Sequence, residues 1–383
     1  MSEEISTRNK VTFILKAIPH YRLPFYEQLR PMLDERGIKL SVVYGQVGSE
    51  GATKRDTVDL PWGIEISNKI LSLGTRELYW QPTLSYIRDA DLVIVMQESK
   101  LLINYLLVLL NMLGIKRVAF WGHGKSFQEH RTHRWSELIK KWISRNVHWW
   151  FAYTQSTYEV IRSFGFPEAQ ITVVNNTIDV QALKRAQSKI SKSDLKQFRE
   201  DQNLLSVNTC IFIGGMYTEK RLDFLLKSCC IIREDVRDFE MIFIGAGPED
   251  FKVRNAAEEN EWIHYLGPVF HEEKVPFFML SQLILMPGLV GLSVLDAFAL
   301  ETPLVTTSIP YHSPEIEYLK HGINGVMVQE SEDPSLFAAA VIELLRHPKK
   351  IENLREGCRV ARDKFSIETM AENFIEGIQA ALE

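Results

Sequence analysis

The chain has 383 residues, of which 45% are hydrophobic and 24% are charged, and its formal net charge is −5. This length exceeds that of one ordinary core and predicts two soluble globular domains. The acidic balance argues against a general nucleic-acid binder, because no excess of cations exists to neutralise phosphates. The polar segment 1–10 does not resemble a signal peptide. The apolar run 101–113 is too short to span a bilayer, so we expect a buried helix there.

Strand and helix signals alternate along the first half of the chain. Apolar runs without a polar face are typical of buried parallel strands, and helical patterns lie between them. The strands are predicted at 11–17, 40–44, 92–96, 118–121 and 171–174, and the helices at 23–36, 101–113, 135–143 and 157–164. This alternation predicts a doubly wound α/β domain.

A polar segment, 185–206, separates the two halves and is predicted to be a linker or an exposed helix. The alternation then restarts at residue 209. Further strands are predicted at 239–244, 263–266, 283–286 and 304–306, and helices at 335–345, 351–361 and 366–382. We therefore predict an N-terminal domain over 1–184 and a C-terminal domain over 207–365. Both would be doubly wound and would face a cleft, with ligands at the carboxyl ends of the strands.

Three glycine-marked turns in the second half each follow a predicted strand. They are Gly214-Gly215, the stretch 245–248 and the stretch 286–293. A strand, a tight turn and a helix N-terminus present backbone N–H groups and a favourable dipole to an anion. Because Lys220 follows the first turn, the pattern indicates a diphosphate site. A surface lysine at a helix start is the plainer alternative for Lys220.

The four cysteines are Cys210, Cys229, Cys230 and Cys358. Their spacing matches no zinc motif, so we expect buried, reduced thiols and a cytoplasmic protein. No metal site is predicted. The acidic pair Asp89 and Asp91 precedes a strand instead of following one.

Taken in order, several segments make the chain similar to the retaining glycosyltransferases of family 4, which have the GT-B fold. The segments 214–220, 245–249, 264–273, 291–297, 301–307 and 322–326 match the donor domain of that family. In the first half, the match covers 19–25, 122–124 and 176–179. The resemblance thus extends over nearly the whole chain. It implies that the final helix, 366–383, packs back on the first domain.

The resemblance also implies roles for individual residues. It assigns catalysis to His123 and Lys220, and acceptor contacts to His20, Tyr21 and Arg22. The nucleobase would lie beside Gly267, Pro268, Val269 and Phe270. The remaining donor contacts would come from Gly215, Arg221, Gly291, Leu292, Ser293, Val294 and Asp296.

Plainer explanations remain open for these residues. Ser293 is also a good helix N-cap, and Asp296 a capping-box acid. A lone histidine such as His123 is more often structural than catalytic. The turn 20–22 also fits a helix entry set by the prolines at 19 and 24.

The chain departs from the family at three places. Of the two glutamates that the family carries eight positions apart, the first is Gly288 here and the second is shortened to Asp296. The usual arginine before the lysine turn is Gly215, and the usual glycine-rich loop after the first strand is replaced by 18–22. These changes leave the donor's identity open.

Residues 125–150 combine six lysines and arginines with four tryptophans. This composition suits a surface near anionic lipid headgroups. A helix whose apolar face packs on the sheet while its charges are solvated is the plainer explanation and is favoured over the membrane surface.

The function implied is the transfer of a sugar from a UDP- or GDP-linked donor to a hydroxyl of a saccharide or lipid-linked acceptor. It would proceed with retention, without a metal or other cofactor, in cell-envelope polysaccharide biosynthesis, with peripheral contact to the inner membrane surface. The alternatives are a nucleotide-sugar epimerase and a non-catalytic nucleotide-sugar or glycan-binding subunit. The glycine at position 288 favours the latter.

Overall fold

A computed structural model describes residues 8–47, 57–73, 76–124, 141–330 and 332–383. The chain divides into two compact units. Unit 1 comprises Met1–Ile178 with Ile367–Glu383, and unit 2 comprises Asp179–Ser366. Each unit is built on a parallel sheet with helices, so the predicted α/β fold class with two Rossmann-like domains is confirmed.

Unit 1 contains a parallel sheet of seven strands in the order β3-β2-β1-β6-β7-β8-β9. Its central strands are buried on both faces, as their uninterrupted apolar sequences predict. The strands are β1 (Asn9–Leu15), β2 (Ile38–Tyr44), β3 (Ile64–Glu65), β6 (Leu92–Met96), β7 (Arg117–Gly122), β8 (Trp149–Ala152) and β9 (Ile171–Val173). A separate antiparallel hairpin is formed by β4 (Lys69–Leu73) and β5 (Arg76–Trp80). The sequence analysis missed both this hairpin and β8.

Helices cover both faces of this sheet. They are Leu23–Asp34, Ile103–Met112, Gln155–Ser163 and the final helix Ile367–Leu382. Phe374 of the final helix is fully buried, and its ring lies 4.8 Å from that of Phe151 and 5.1 Å from that of Trp121. The final helix therefore contributes directly to the core of unit 1, although the chain reaches it only after passing through unit 2.

Unit 2 contains six parallel strands in the order β12-β11-β10-β13-β14-β15. They are β10 (Thr209–Ile213), β11 (Glu240–Ile244), β12 (Ile263–Gly267), β13 (Leu283–Leu285), β14 (Leu304–Thr307) and β15 (Gly325–Val328). The helices are Val180–Lys189, Lys192–Asp201, Leu222–Asp235, Asp250–Glu259, Val275–Leu280, Ser293–Ala299, Pro334–Arg346 and Pro348–Lys364. Because strand order reverses beside β10, the loops after β10 and β13 diverge there, where ligands bind in doubly wound sheets.

Two short helices lie where a linker or an exposed helix was predicted. Asp179 caps the first, its carboxylate accepting a hydrogen bond from the Ala182 N–H at 2.7 Å. Ser191 and Asp194 form a reciprocal capping box at the start of the second. These side chains explain why a strongly polar segment is helical.

Two other expectations need correction. Cys210, Cys229 and Cys358 are buried free thiols, but Cys230 is exposed, because consecutive helical positions point in different directions. The helix Ile103–Met112 is buried along one face only, and Leu109 on its other face is half exposed. No helix among the described residues is long and apolar enough to cross a membrane.

Candidate functional site

The first two glycine turns of unit 2 are bonded to each other through their backbones. The Gly214 N–H donates to Ile244 O at 3.0 Å, and the Met216 N–H donates to Ala246 O at 2.9 Å. A Cβ atom at Gly245 would lie only 1.9 Å from Gly214 O, so this approach requires glycine. Gly215 remains exposed at the end of β10. The turns therefore form one continuous surface at the carboxyl edge of the sheet.

The third turn joins this surface through Lys220. The Lys220 ammonium donates to Leu289 O at 2.6 Å, and the Leu289 N–H donates to Glu219 O at 2.8 Å. Lys220 Nζ also lies 3.7 Å from the sulfur of Met286, which accepts from Ser293 Oγ at 3.4 Å. The first and third predicted turns thus meet at Lys220, and the second turn is bonded to the first.

Lys220 is buried and lies in a short 3-10 turn, Thr218–Lys220, so the alternative of a surface lysine is wrong. Burial lowers the pKa of its ammonium to about 8, and the charge of Glu219 offsets part of this effect. Among the described residues, its ammonium has one hydrogen-bonded oxygen partner, the carbonyl of Leu289. A lysine in these surroundings has a strong preference for an added anion, because an anion would compensate the desolvated charge.

Gly288 is explained by backbone packing. A Cβ atom there would lie 2.3 Å from Glu219 O and 2.5 Å from Lys220 O. Both neighbours are backbone atoms, which cannot rotate away as a side chain would. A residue with any side chain would therefore separate the third turn from the lysine turn, and this loop conformation requires glycine at 288.

His312 anchors the third turn from the other side. Its Nδ1 accepts from the Val290 N–H at 3.0 Å, and its Nε2 lies 2.8 Å from Thr307 O. The first bond requires an unprotonated Nδ1, so Nε2 carries the proton and donates to Thr307. Burial lowers the pKa of His312, which favours this neutral form. The sequence analysis missed His312, whose position just after β14 was the available signal.

The helix Ser293–Ala299 begins differently from the prediction. Leu292 is its N-cap, so Ser293 is the first helical residue and not the cap. The Val294 N–H donates to Gly291 O at 3.3 Å, within the first turn. Asp296 forms no capping box and pairs with Lys274 at 2.6 Å, where both side chains are largely buried. Asp296 is thus held rigidly at the rim of the third turn.

Two other predicted donor contacts lie at the edges of this surface. Arg221 has a left-handed backbone, with φ of 58°, and its guanidinium pairs with Glu332 at 3.2 Å. It also donates to Thr307 Oγ1 at 3.4 Å. Gly267, at the end of β12, accepts from the Gly245 N–H at 2.8 Å. The exposed Pro268 and Phe270 and the half-buried Val269 follow directly, beside the second turn.

Unit 1 has a cavity of about 480 Å³ at the carboxyl ends of β1, β6 and β7. Tyr21, Arg22 and His123 line it, whereas His20 lies in the same turn but not on the lining. The sequence analysis missed several polar residues of this wall. They are Lys16, Gln97, Glu98 and Lys100, of which the first two directly follow strands β1 and β6.

Arg22 is the most constrained of the cavity residues. It is buried, donates to Asn176 Oδ1, and lies over the Trp121 ring at 4.7 Å from the ring centroid. His123 follows β7, and its ring centroid lies 4.2 Å from that of Tyr153. Lys16 and Glu98 form an ion pair of 3.4 Å on the same wall. The cavity therefore combines aromatic faces with fixed cations, which is a suitable lining for a polar ring with an anionic substituent.

Residues 125–140, which carry most of the predicted basic and tryptophan-rich segment, lie outside the described residues. Of this segment, residues 141–145 are helical and Trp142 is exposed. Trp149 and Trp150 are buried in β8 and belong to the core. Among the residues that the structure describes, no cluster of three or more His, Cys, Asp or Glu has the arrangement of a metal site.

Comparisons with known proteins agree with these observations. Residues 25–182 match the family model of Glycosyltransferase Family 4, and residues 207–347 match that of Glycosyl transferases group 1. The D-rhamnosyltransferase WbpZ of Pseudomonas aeruginosa is 26% identical over 206 residues, which cover 52% of this chain and 49% of the relative. The D-inositol 3-phosphate glycosyltransferase of Thermobispora bispora is 23% identical over 240 residues, 59% of this chain and 54% of the relative. The chain thus spans about half the length of the curated relatives it matches.

Solved structures show the fold over a longer span. HepE of Anabaena in complex with UDP has a TM-score of 0.70 at 13% identity, covering 97% of this chain and 99% of that one. Together, the two family models and the fold account for both units. The C-terminal half thus matches the group 1 glycosyltransferases, the N-terminal half matches glycosyltransferase family 4, and the fold is of the GT-B type.

Proposed function

We propose that the protein transfers a sugar from a nucleoside-diphosphate donor, UDP- or GDP-linked, to a hydroxyl of a saccharide or lipid-linked acceptor. The buried Lys220 between the first and third glycine turns, with the second turn bonded to the first, carries this proposal. HepE was solved with UDP and with UDP-glucose, which supports a nucleoside-diphosphate donor on this fold. The rhamnosyltransferase among the relatives supports transfer of a sugar, and we also propose a role in envelope polysaccharide synthesis.

In the proposed reaction, the bond between the anomeric carbon and the diphosphate breaks while the acceptor oxygen bonds to the same face of that carbon. The hydroxyl proton passes to the leaving diphosphate, so no protein nucleophile is required and the configuration is retained. Negative charge grows on the diphosphate as the bond breaks. The ammonium of Lys220 stabilises that charge without an added metal ion.

The remaining donor groups have secondary roles in this proposal. Backbone N–H groups of Gly215, Gly291, Leu292 and Ser293 face the phosphates, and the Asp296 carboxylate accepts from the ribose hydroxyls. The Val294 N–H is already bonded to Gly291 O and the Val294 side chain is fully buried, so a contact of Val294 with the donor would require this turn to rearrange. Arg221 would reach the diphosphate only by leaving Glu332. The nucleobase lies along 267–270.

We assign unit 1 to the acceptor and to the transferred sugar. Tyr21 and Arg22 would contact the acceptor, with His20 in a supporting position in the same turn, and His123 would hold the sugar while its bond to diphosphate breaks. We also propose that the protein works in the cytoplasm, because its cysteines are free thiols, and that it works at the inner membrane surface.

The test is release of nucleoside diphosphate from UDP- and GDP-sugars with candidate acceptors. Lys220→Met should lower kcat/KM by about 100-fold or more, whereas Lys227→Met, an exposed lysine on the next helix, should not. His123→Ala should lower the rate, with the exposed His347→Ala as its control.

NMR of the product decides the stereochemistry. Retention predicts that the transferred sugar has the same anomeric configuration in the product as in the donor. Nucleotide binding without turnover of any sugar would favour the non-catalytic subunit, and an inverted product would refute retention.

A further inference from the structure

The cavity of unit 1 contains two buried hydrogen-bond donors for which the described residues supply no acceptor. The Nε1–H of Trp121, which is 1% exposed, has no hydrogen-bond partner among these residues. Tyr26 is also 1% exposed, and its hydroxyl forms no hydrogen bond within the described part of the chain. Both residues line the cavity. Because buried polar groups are normally hydrogen-bonded, two such donors in one cavity indicate an acceptor that a ligand brings.

Arg22 places a positive charge beside these two donors. Its guanidinium lies 4.7 Å from the ring centroid of Trp121. Burial raises the pKa of Tyr26 and the charge of Arg22 offsets part of that rise, so the phenol stays protonated and remains a donor. Arg22 is itself buried, and it donates to two neutral acceptors, Asn176 Oδ1 and the sulfur of Met370. Neutral acceptors compensate a desolvated cation only in part, whereas an anion compensates it fully.

The charged residues on the lining have a positive excess. Three of them are cations and one is an acid: Lys16, Arg22, Lys100 and Glu98. Glu98 pairs with Lys16 at 3.4 Å. A second acid, Glu77, is buried outside the lining, and even when it is included the cations are in excess. A neutral sugar hydroxyl could accept from the two donors, but only an anionic group also complements this charge.

The three donor groups come from regular elements of unit 1. Arg22 is the N-cap of the helix Leu23–Asp34, and Tyr26 follows four positions later, so both lie on one face of that helix. Trp121 lies near the carboxyl end of β7, and its ring packs 5.1 Å from the fully buried ring of Phe374. Since packing already fixes these side chains, a ligand would find the donors arranged before it binds.

We propose that Arg22, Tyr26 and Trp121 form an anion subsite that binds a phosphate or carboxylate group of the acceptor. The guanidinium, the phenolic O–H and the indole N–H donate to the oxygens of that group, and bonds of this charge-assisted kind are the strong ones. The subsite rests on the acceptor role proposed for unit 1, and it narrows that role. The acceptor is a saccharide that carries a negative charge close to the hydroxyl that receives the sugar.

The experiment is NMR of the isotopically labelled full chain, in which Trp121→Phe assigns the indole N–H resonance of Trp121. The titrants are glucose, glucose 6-phosphate and glucuronate, which share one ring and differ in the charge of the exocyclic group. We expect the anionic sugars to shift this resonance and to bind at least about tenfold more tightly than glucose, the effect of one hydrogen bond to a charged group. The tighter anion distinguishes a phosphorylated from a carboxylated acceptor. Equal or absent binding of all three, or binding that leaves the Trp121 resonance unmoved, would overturn the proposal.

Two variants locate the subsite. Tyr26→Phe removes one hydroxyl and keeps the ring, so it should weaken binding of the anionic sugar about tenfold. Its melting temperature should not fall, because the hydroxyl has no partner among the described residues. The matched control is Tyr86→Phe, an exposed tyrosine outside the cavity lining, which should bind as the wild type does. Arg22→Gln should abolish the preference for anionic over neutral sugar. Wild-type affinity in Tyr26→Phe would refute the subsite even if Arg22→Gln failed to fold.

The donor site is the competing place for an anion, and Lys220→Met separates the two. This variant removes the cation of the donor site and should leave the shift of the Trp121 resonance unchanged, whereas loss of the shift would overturn the assignment to unit 1. The titration needs no sugar transfer. Absent turnover of every UDP- and GDP-sugar would therefore refute the glycosyltransferase proposal and leave the measured anion binding intact. Turnover with equal kcat/KM for neutral and anionic acceptors would overturn the subsite alone.

Discussion

Nucleotide affinity is predicted to fall as the pH rises through about 8. Burial lowers the pKa of Lys220 to about 8, so the free protein loses this charge within an accessible pH range. A bound diphosphate favours the protonated ammonium and raises its pKa again. Since the nucleotide selects the protonated form, deprotonation competes with binding. The unbound lysine is about 10% neutral at pH 7 and about 90% neutral at pH 9, which predicts about tenfold weaker binding at pH 9.

Isothermal titration with UDP and GDP measures this effect in two ways. The dissociation constant, measured at several pH values from 7 to 9, gives the pH dependence of the affinity directly. Titration at pH 8 in buffers of different ionisation enthalpy should report uptake of about half a proton per nucleotide. Lys220→Arg keeps the cation charged throughout this range and should abolish both effects, while Lys227→Arg should preserve them. An affinity that is constant from pH 7 to 9, with no proton uptake in the wild type, would refute the role assigned to Lys220.

Three further predictions concern packing. Gly288→Glu, which restores the glutamate of the family, should not raise activity and should destabilise unit 2 by about 2–3 kcal/mol in urea unfolding, because its Cβ meets backbone oxygens. A variant that is as stable as the wild type and more active would contradict this. Phe374→Ala should destabilise unit 1 by about 3–5 kcal/mol, with the exposed Gln379→Ala as a near-neutral control. Asp296→Ala should lower the free energy of unfolding by about 3 kcal/mol, because it leaves Lys274 buried and unpaired. Adding Lys274→Met to this variant should recover much of the lost stability. If the losses of the two substitutions instead add up, the ion pair does not contribute as argued.

The sequence predicted the elements of the central sheets well, because buried parallel strands are uninterrupted apolar runs. The strand 92–96 was predicted to the residue and matches β6. The hairpin β4–β5 was missed because Lys69–Leu73 and Arg76–Trp80 mix polar and apolar residues on a surface. Similarly, β8 was missed because its first two residues, Trp149 and Trp150, were interpreted as part of a basic surface segment.

The donor site shows where sequence reasoning stops. The order of the glycine turns and Lys220 indicated an anion site, and the first and third turns do meet at that lysine. The reason for a glycine at position 288 could not be predicted from the sequence, because it depends on how closely two loops distant in sequence approach each other. Likewise, Ser293 fits an N-cap by residue type, but only backbone geometry reveals that Leu292 occupies the cap. Local propensity predicts elements, whereas contacts between loops decide the site.

The most direct test of the central claim is a crystal structure of the full chain with bound UDP or GDP. The account predicts that the diphosphate lies at the carboxyl edge of the unit 2 sheet, with a phosphate oxygen within about 3 Å of Lys220 Nζ. The base would lie along 267–270. A nucleotide bound elsewhere, with Lys220 still donating to Leu289 O alone, would contradict it.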